Sequence, residues 1–368
     1  MIYLYFFGFS SEGVNRARYG VWGKVLEWFK SYMIGRTQTV SISGTTSTAS
    51  HLTCGVPQGS VLGPVLFTTY MAPLADIIRQ HGLNYMFYAD DSQIYFTATS
   101  SSPDDIHNSA QKCIRHIRDW MLVNRLKLND DKTEVINFSS CFRPSPCTPI
   151  NFQFGDSTVL PTSSVRNLGV YMDSELRMVG HINSVVKSVF YQIHIIGKIR
   201  RNLDQQSTKK LVHALVTSRL DYCNSLLVGL PATLTGKLQR AQNCAARLVT
   251  LTPRRDHISP VLYKLHWLPI KYRCEFKVLA LVFKCIQNQA PEYLCDLIKI
   301  STNIKSPRLS HLSLQTKRTK TTTYGSRAFC VIGPQLWNAL PLDLRESKSL
   351  AVFKISLKSH MFKLAFNV

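Results

Sequence analysis

Apolar side chains recur along this chain at two spacings, one helical and one strand-like, and the places where one gives way to the other outline the fold. Over 21–32 the positions Val21, Val25, Trp28, Phe29 and Tyr32 recur at helical spacing with Leu26 beside them, and Gly35 marks the stop. A short strand is expected over 39–42. Residues 54–64 read CGVPQGSVLGP, too rich in Gly and Pro for regular structure, and lead into an apolar segment over 65–78 that reads as a mostly buried helix closed by His81 and Gly82. The stretch 85–96, YMFYADDSQIYF, sets two aromatic, β-prone runs on either side of a short polar centre, which is a hairpin signal.

Beyond a turn at 101–103, Ile106, Ala110, Cys113, Ile114, Ile117, Trp120 and Met121 mark one face of a long helix. Asn129, Asp130 and Asp131 break it before a strand over 133–138. The segment 142–149, with three prolines, reads as a loop, and 152–172 as short strands separated by turns. Helix, hairpin, helix and strand in that order imply an α+β sheet domain over the first 175 residues. After Arg177 the texture changes to long basic amphipathic helices over 181–200, 207–228, 235–251 and 271–287, followed by a final helix over 350–366. That last helix carries Phe353, Leu357, Met361 and Leu364 on one side and Lys354, Lys358 and Lys363 on another. The short passages GLP at 229–231, HWLP at 266–269 and WNALP at 337–341 read as stops and packed corners, and 301–324 is the weakest candidate for fixed structure.

Charge sharpens this division. The 368 residues carry 44 Lys and Arg against 22 Asp and Glu, a net charge of +22. Residues 1–175 carry 14 basic and 14 acidic side chains, while 176–368 carry 30 and 8, so all the excess lies in the second half. Such a balance favours polyanionic partners. The ten cysteines form no C-x-x-C pair and have no His partners at zinc-finger spacing, which favours neither a disulfide scaffold nor a structural zinc and makes a reducing compartment, nucleus or cytoplasm, the simpler reading. The opening MIYLYFFGF is too short to span a bilayer and lacks the basic flank of a signal peptide, so no membrane partner is expected. No compact basic cluster marks a nuclear address; the densest pairs are Arg200 with Arg201, Lys209 with Lys210 and Arg254 with Arg255.

Asp90 and Asp91 are the chemically pointed feature. An isolated pair of this kind is ordinarily a solvated turn, but adjacent carboxylates at the tip of an aromatic hairpin repel one another, and Mg²⁺ shared with substrate phosphates offsets that repulsion. PQGS lies upstream at 57–60 and LKLNDDKTE downstream at 126–134. Together these motifs resemble the reverse transcriptase palm, and in particular the non-LTR retrotransposon (LINE) type of the jockey-like and chicken-repeat-like lineages, where GVPQGSVLGPVLF, the YADD box and the LxLNxxKT passage follow one another. LHWLPI at 265–270, GPQLWNALP at 333–341 and the FKxxLKSHMF pattern at 353–362 are similar to the tail of such proteins, so the resemblance covers about 18–366.

The resemblance implies an RNA-directed DNA polymerase using two Mg²⁺ ions, or Mn²⁺, with an RNA template, an RNA–DNA hybrid or DNA primer, and deoxynucleoside triphosphates. Asp90 then resembles the aspartate that ligates both metals and Asp91 its more peripheral neighbour. Tyr88 and Ala89 would lie beside the primer terminus. Pro57, Gln58, Gly59 and Ser60 would contact template and incoming nucleotide, and Lys132 would stand near the triphosphate. It also implies a partial palm with an antiparallel sheet over 18–175, a helical thumb-like region over 176–255 and a basic carboxy-terminal region over 256–368, after an unmatched leader at 1–17.

One family feature has no counterpart. The further metal aspartate of such enzymes lies upstream of PQGS in an FDxxxAFD-like box, whereas here no Asp precedes Asp76 and only Glu12 and Glu27 are acidic before the motif. The fingers and the amino-terminal endonuclease are unmatched as well. The expectation is therefore retroelement ancestry with impaired nucleotidyl transfer; the alternative is a non-catalytic nucleic-acid-binding remnant. An upstream open frame carrying the missing box would favour the first, and a frame full of stops the second.

Overall fold

The computed structural model describes residues 19–52, 55–56, 59–97, 103–139, 151–155, 157–301, 313–319, 321 and 324–368. The leader, Glu12, the loop expected at 142–149, part of the 301–324 segment, Pro57 and Gln58 lie outside them. The chain divides into two compact units, 1–137 with 143–162, and 138–142 with 163–368.

In the first unit, helix α1 (Gly23–Met33) forms as expected, but it turns a different face inward. Leu26 and Met33 are buried, while Val25 and Trp28 are 55% and 52% exposed. The aromatic positions satisfy one another instead, with Trp28 and Tyr32 stacked at 5.7 Å. The strand expected at 39–42 is replaced by two exposed two-residue ladders: β1 (Thr37–Gln38) pairs with β4 (Ser50–His51), and β2 (Ser41–Ile42) with β3 (Thr45–Thr46). Ser43 and Gly44, both at positive φ, form the two-residue loop between β2 and β3.

Helix α2 (Gly63–Gln80) buries Leu66, Met71, Leu74, Ala75 and Ile78. Strands β5 (Asn84–Tyr88) and β6 (Asp91–Tyr95) make the expected hairpin, and helix α3 (Pro103–Val123) contributes Ala110, Cys113, Ile114, Ile117 and Met121. These faces share one core with Phe152 and Phe154, and Tyr85, Phe87, Leu126, Leu128 and Val135 pack against it. The first unit is thus mixed α/β, but among the described residues the antiparallel sheet expected here is reduced to small two-stranded ladders. Every ladder has two strands, and the one joining β7 (Val135–Ile136) to β10 (Pro161–Thr162) is parallel; the remaining pair, β8 (Phe152–Phe154) with β9 (Ser157–Val159), is a hairpin. Strands of two to five residues, with Pro161 lacking a donor, offer too little backbone to pair along both edges.

The second unit opens with a hairpin of β11 (Ser164–Asn167) and β12 (Val170–Asp173), whose loop residues Leu168 and Gly169 have φ of 45° and 84°. The Asp173 carboxylate accepts from the Arg177 and Met178 N–H groups at 2.8 and 2.7 Å, setting the turn into α4 (Val179–Ile199). The helix expected over 207–228 is broken. α5 (Gln205–Val212), capped by Asp204, runs through a π-helical turn into α6 (Ser218–Asp221), and Cys223 in the left-handed region ends it. There follow α7 (Ala232–Thr250), α8 (Ser259–Leu265), α9 (Ile270–Ile286), α10 (Glu292–Cys295), α11 (Phe329–Asn338), α12 (Leu342–Arg345) and α13 (Leu350–Phe366).

These helices enclose a single large core. Phe283 stacks on Phe353 at 4.5 Å with Trp337 against them, and the two Pro-containing corners bury Trp267, Leu268 and Leu340 as anticipated. On α13 the apolar side is shorter than expected, because Leu364 is more than half exposed. Half-buried Arg327 ties irregular backbone to this core by donating to the carbonyls of Leu176 at 2.8 Å, Leu226 at 3.1 Å and Val228 at 3.4 Å. Burial lowers its pKa, with Asp173 opposing. Among the described residues no helix is long and apolar enough to cross a membrane.

Candidate metal centre and polymerase motifs

The motif residues stand at the ends of elements that share the first unit's core. Ser60 lies just before α2, and its hydroxyl accepts from the N–H of Gly63, the first residue of that helix, at 3.1 Å. Gly59 has φ of 81° and open space where a Cβ would stand, so backbone conformation rather than crowding demands glycine there.

In the hairpin, Tyr85 and Phe87 pack toward the core, and Tyr88 pairs with Asp91 as the last rung. This leaves Ala89 and Asp90 as a two-residue loop. Ala89 adopts φ of 53°, a conformation that costs a residue with a side chain roughly 1 kcal/mol and that tight hairpins require. Tyr88 is 65% exposed, and Asp90 and Asp91 are both exposed, neither carboxylate making a hydrogen bond or ion pair to other described residues. The tip thus presents two solvated carboxylates on a short, well-anchored frame.

The LKLNDDK passage makes a 3-10 turn over Asp130–Lys132, capped by the Asn129 side chain accepting from the Lys132 N–H at 3.3 Å. Asp130 is committed to Arg118, whose Nη1 lies 2.8 and 2.9 Å from its two oxygens. Lys132 is exposed, and no described hydrogen bond or ion pair joins it to Asp90, Asp91 or Ser60. The sequence marks Asn129, Asp130 and Asp131 as the break after the preceding helix; the cap made by Asn129 and the ion pair made by Asp130 are added by the structure.

Among the described residues no three His, Cys, Asp or Glu side chains converge to hold a metal. Asp76 is engaged by Arg79 one helical turn away, at 3.1 Å. Two adjacent carboxylates can hold one divalent ion that keeps most of its water, whereas a two-metal centre draws carboxylates from separate strands. The described donor set does not fit the two-metal arrangement.

Residues 15–172 match the sequence profile of the reverse transcriptase (RNA-dependent DNA polymerase) family. The chain is 26% identical over 207 residues to the RNA-directed DNA polymerase from mobile element jockey of Drosophila funebris, covering 54% of this chain and 22% of that protein. It is 24% identical over 237 residues to the probable RNA-directed DNA polymerase from transposon BS of Drosophila melanogaster, covering 61% and 25%. To the Pol polyprotein from type-1 retrotransposable element R1 of Nasonia vitripennis it is 22% identical over 244 residues, covering 64% and 70%. The chain therefore spans a quarter or less of the length of the two fly relatives. Its first half carries a reverse transcriptase domain of the non-LTR retrotransposon type, similar to those of jockey, BS and R1 elements.

Proposed function

We propose that this chain is the polymerase portion of a retroelement protein that retains nucleic-acid binding and, acting alone, has lost nearly all nucleotidyl transfer. The observation that carries the reading is the Asp90–Asp91 tip without a third converging ligand among the described residues, in a sequence with no Asp before Asp76. Moving a 3′-hydroxyl onto an α-phosphate needs both groups held in line and the developing charge neutralised, and a lone carboxylate pair supplies neither fully. Loss of one metal is expected to cost several kcal/mol of transition-state stabilisation, on the order of a thousandfold or more in rate. The basic helices of residues 176–368 support the retained half of the function, since cations set against a phosphate backbone give affinity indifferent to base sequence. Lys132, Gly59, Ser60 and Tyr88 keep their proposed roles toward triphosphate, template and primer only in a complete polymerase.

Two readouts on one sample test this. Primer extension on homopolymer and mixed RNA templates is expected at background and unchanged in D90N, while anisotropy on RNA and RNA–DNA hybrid is expected to show binding that falls steeply between about 50 and 300 mM salt. Robust incorporation abolished by D90N overturns the catalytic half; absent binding at low salt overturns the other.

A further inference from the structure

The second unit contains a cleft of about 330 Å³ whose lining includes Arg166, Tyr171, His181, Ser184, Arg219 and Tyr222. Its walls follow from local folding. Arg166 and Tyr171 are cross-strand partners in the β11–β12 hairpin, and the guanidinium carbon lies 5.5 Å from the ring centroid. At the hairpin loop Gly169, whose φ of 84° favours glycine, lies beside the Tyr222 ring, which a Cβ there would meet at an ordinary contact distance of 3.6 Å. The Tyr222 hydroxyl donates to the Leu168 carbonyl at 2.6 Å. On the other wall, α4 offers His181, Ser184 and Ser188 from one helical face, and Arg219 reaches them by donating from Nη1 to Ser188 Oγ at 2.6 Å.

The lining holds two guanidinium groups and no carboxylate, and neither arginine has an acidic partner among the described residues. Two uncompensated cations on one small space favour an anion between them. His181, 4% exposed, contributes a further unmet requirement, because its Nδ1 has no hydrogen-bond partner. Planar guanidinium donors beside hydroxyls match phosphoryl oxygens. Tyr222, 52% exposed, provides an aromatic face next to them, the kind of platform on which a base stacks.

We propose that this cleft binds a single nucleotide unit, its phosphate between Arg166 and Arg219 and its base against Tyr222. The inference deepens the nucleic-acid reading above and depends on it only for the source of the phosphate, a strand or a free nucleotide. The test uses the full chain, with labelled RNA decamer followed by anisotropy and adenosine monophosphate followed by saturation-transfer NMR. R166Q/R219Q, both at exposed positions, removes the phosphate contacts; Y222L removes the platform; K354Q/K358Q removes the same charge from α13 and serves as the control.

The expected result is that adenosine monophosphate binds and competes with the decamer. R166Q/R219Q should weaken both ligands by about tenfold per arginine, Y222L should weaken them less, and K354Q/K358Q should leave the monophosphate unaffected. Monophosphate binding without RNA binding supports the cleft as a free-nucleotide site and removes the nucleic-acid reading. RNA binding that R166Q/R219Q and K354Q/K358Q weaken equally, with no monophosphate signal, overturns the cleft and leaves that reading standing. Silence with both ligands overturns the two together.

Discussion

The two units of this chain differ in what holds them and in what they carry. The first bears the polymerase motifs on short ladders and on helices that share a modest core of Leu74, Ile78, Cys113 and Phe152, and of its described motif side chains Tyr88, Asp90, Asp91 and Lys132 are exposed. The second surrounds a far larger core, which includes Trp337, Phe283, Phe353, Leu238 and Val282, and residues 176–368 carry the whole positive excess. Stability and charge thus reside in the helical unit, while the sequence signature of the chemistry resides in the thinner one. The hairpin that displays the carboxylate pair is fixed by the packing of Tyr85 and Phe87, not by the carboxylates.

Truncating each core at its centre breaks this comparison most sharply. Phe353→Ala should cost the second unit about 3–5 kcal/mol, and Leu74→Ala the first about 2–5 kcal/mol. In denaturant unfolding followed by far-UV circular dichroism, the two variants should shift different transitions. A single transition moved equally by both would show that the units unfold as one.

Arg327 probes the polar side of the second unit. Replacing it with Met strands three carbonyls that it now satisfies, and the expected loss is about 2–3 kcal/mol, read as a lower denaturation midpoint. No change would mean that water takes over all three.

Cysteine labelling sharpens the comparison without mutation. Burial raises the Cys113 thiol to about 11 in the first unit and the Cys274 thiol to about 12 in the second, so both stay protonated and unreactive near neutral pH while folded. With site-resolved mass spectrometry, Cys113 should be alkylated at lower denaturant than Cys274. The reverse order would contradict the assignment of greater stability to the helical unit.

The smallest effect is on pH. Burial holds the His181 imidazole below its ordinary 6.5, so the unfolded chain takes up a proton where the folded chain does not. The associated stability is present above 6.5 and is lost as pH falls through the lowered value. Burial raises the Glu275 carboxyl, which acts in the opposite direction, and comparison with His181→Gln separates the two. The wild-type chain should lose more stability than this variant between about pH 7 and 5.

Much of the fold was legible in the sequence, for identifiable reasons. The helix over 350–366 and the hairpin at 85–96 follow from periodicity and polar punctuation, and the structure has them at Leu350–Phe366 and across Asn84–Tyr95. The failures lie where neighbours decide. Helix α1 buries Leu26 and Met33 rather than the Trp28 face, because helical spacing lists candidates for burial without saying which side meets a partner. The break at Cys223 depends on tertiary geometry in the same way. At the candidate site, the adjacent carboxylates and their hairpin were legible, whereas the capture of Asp130 by Arg118 and, in the second unit, the meeting of Arg219 with Ser188 join residues that no local spacing connects.

The central claim is that the polymerase motifs of this chain frame a single carboxylate pair and not a two-metal centre. Mn²⁺ titration followed by electron paramagnetic resonance, on the full chain and on D90N/D91N, measures this directly. The account predicts one weakly held, solvent-accessible ion in the wild-type chain, lost in the double variant. Two tightly held ions, or equal binding by both proteins, would contradict it.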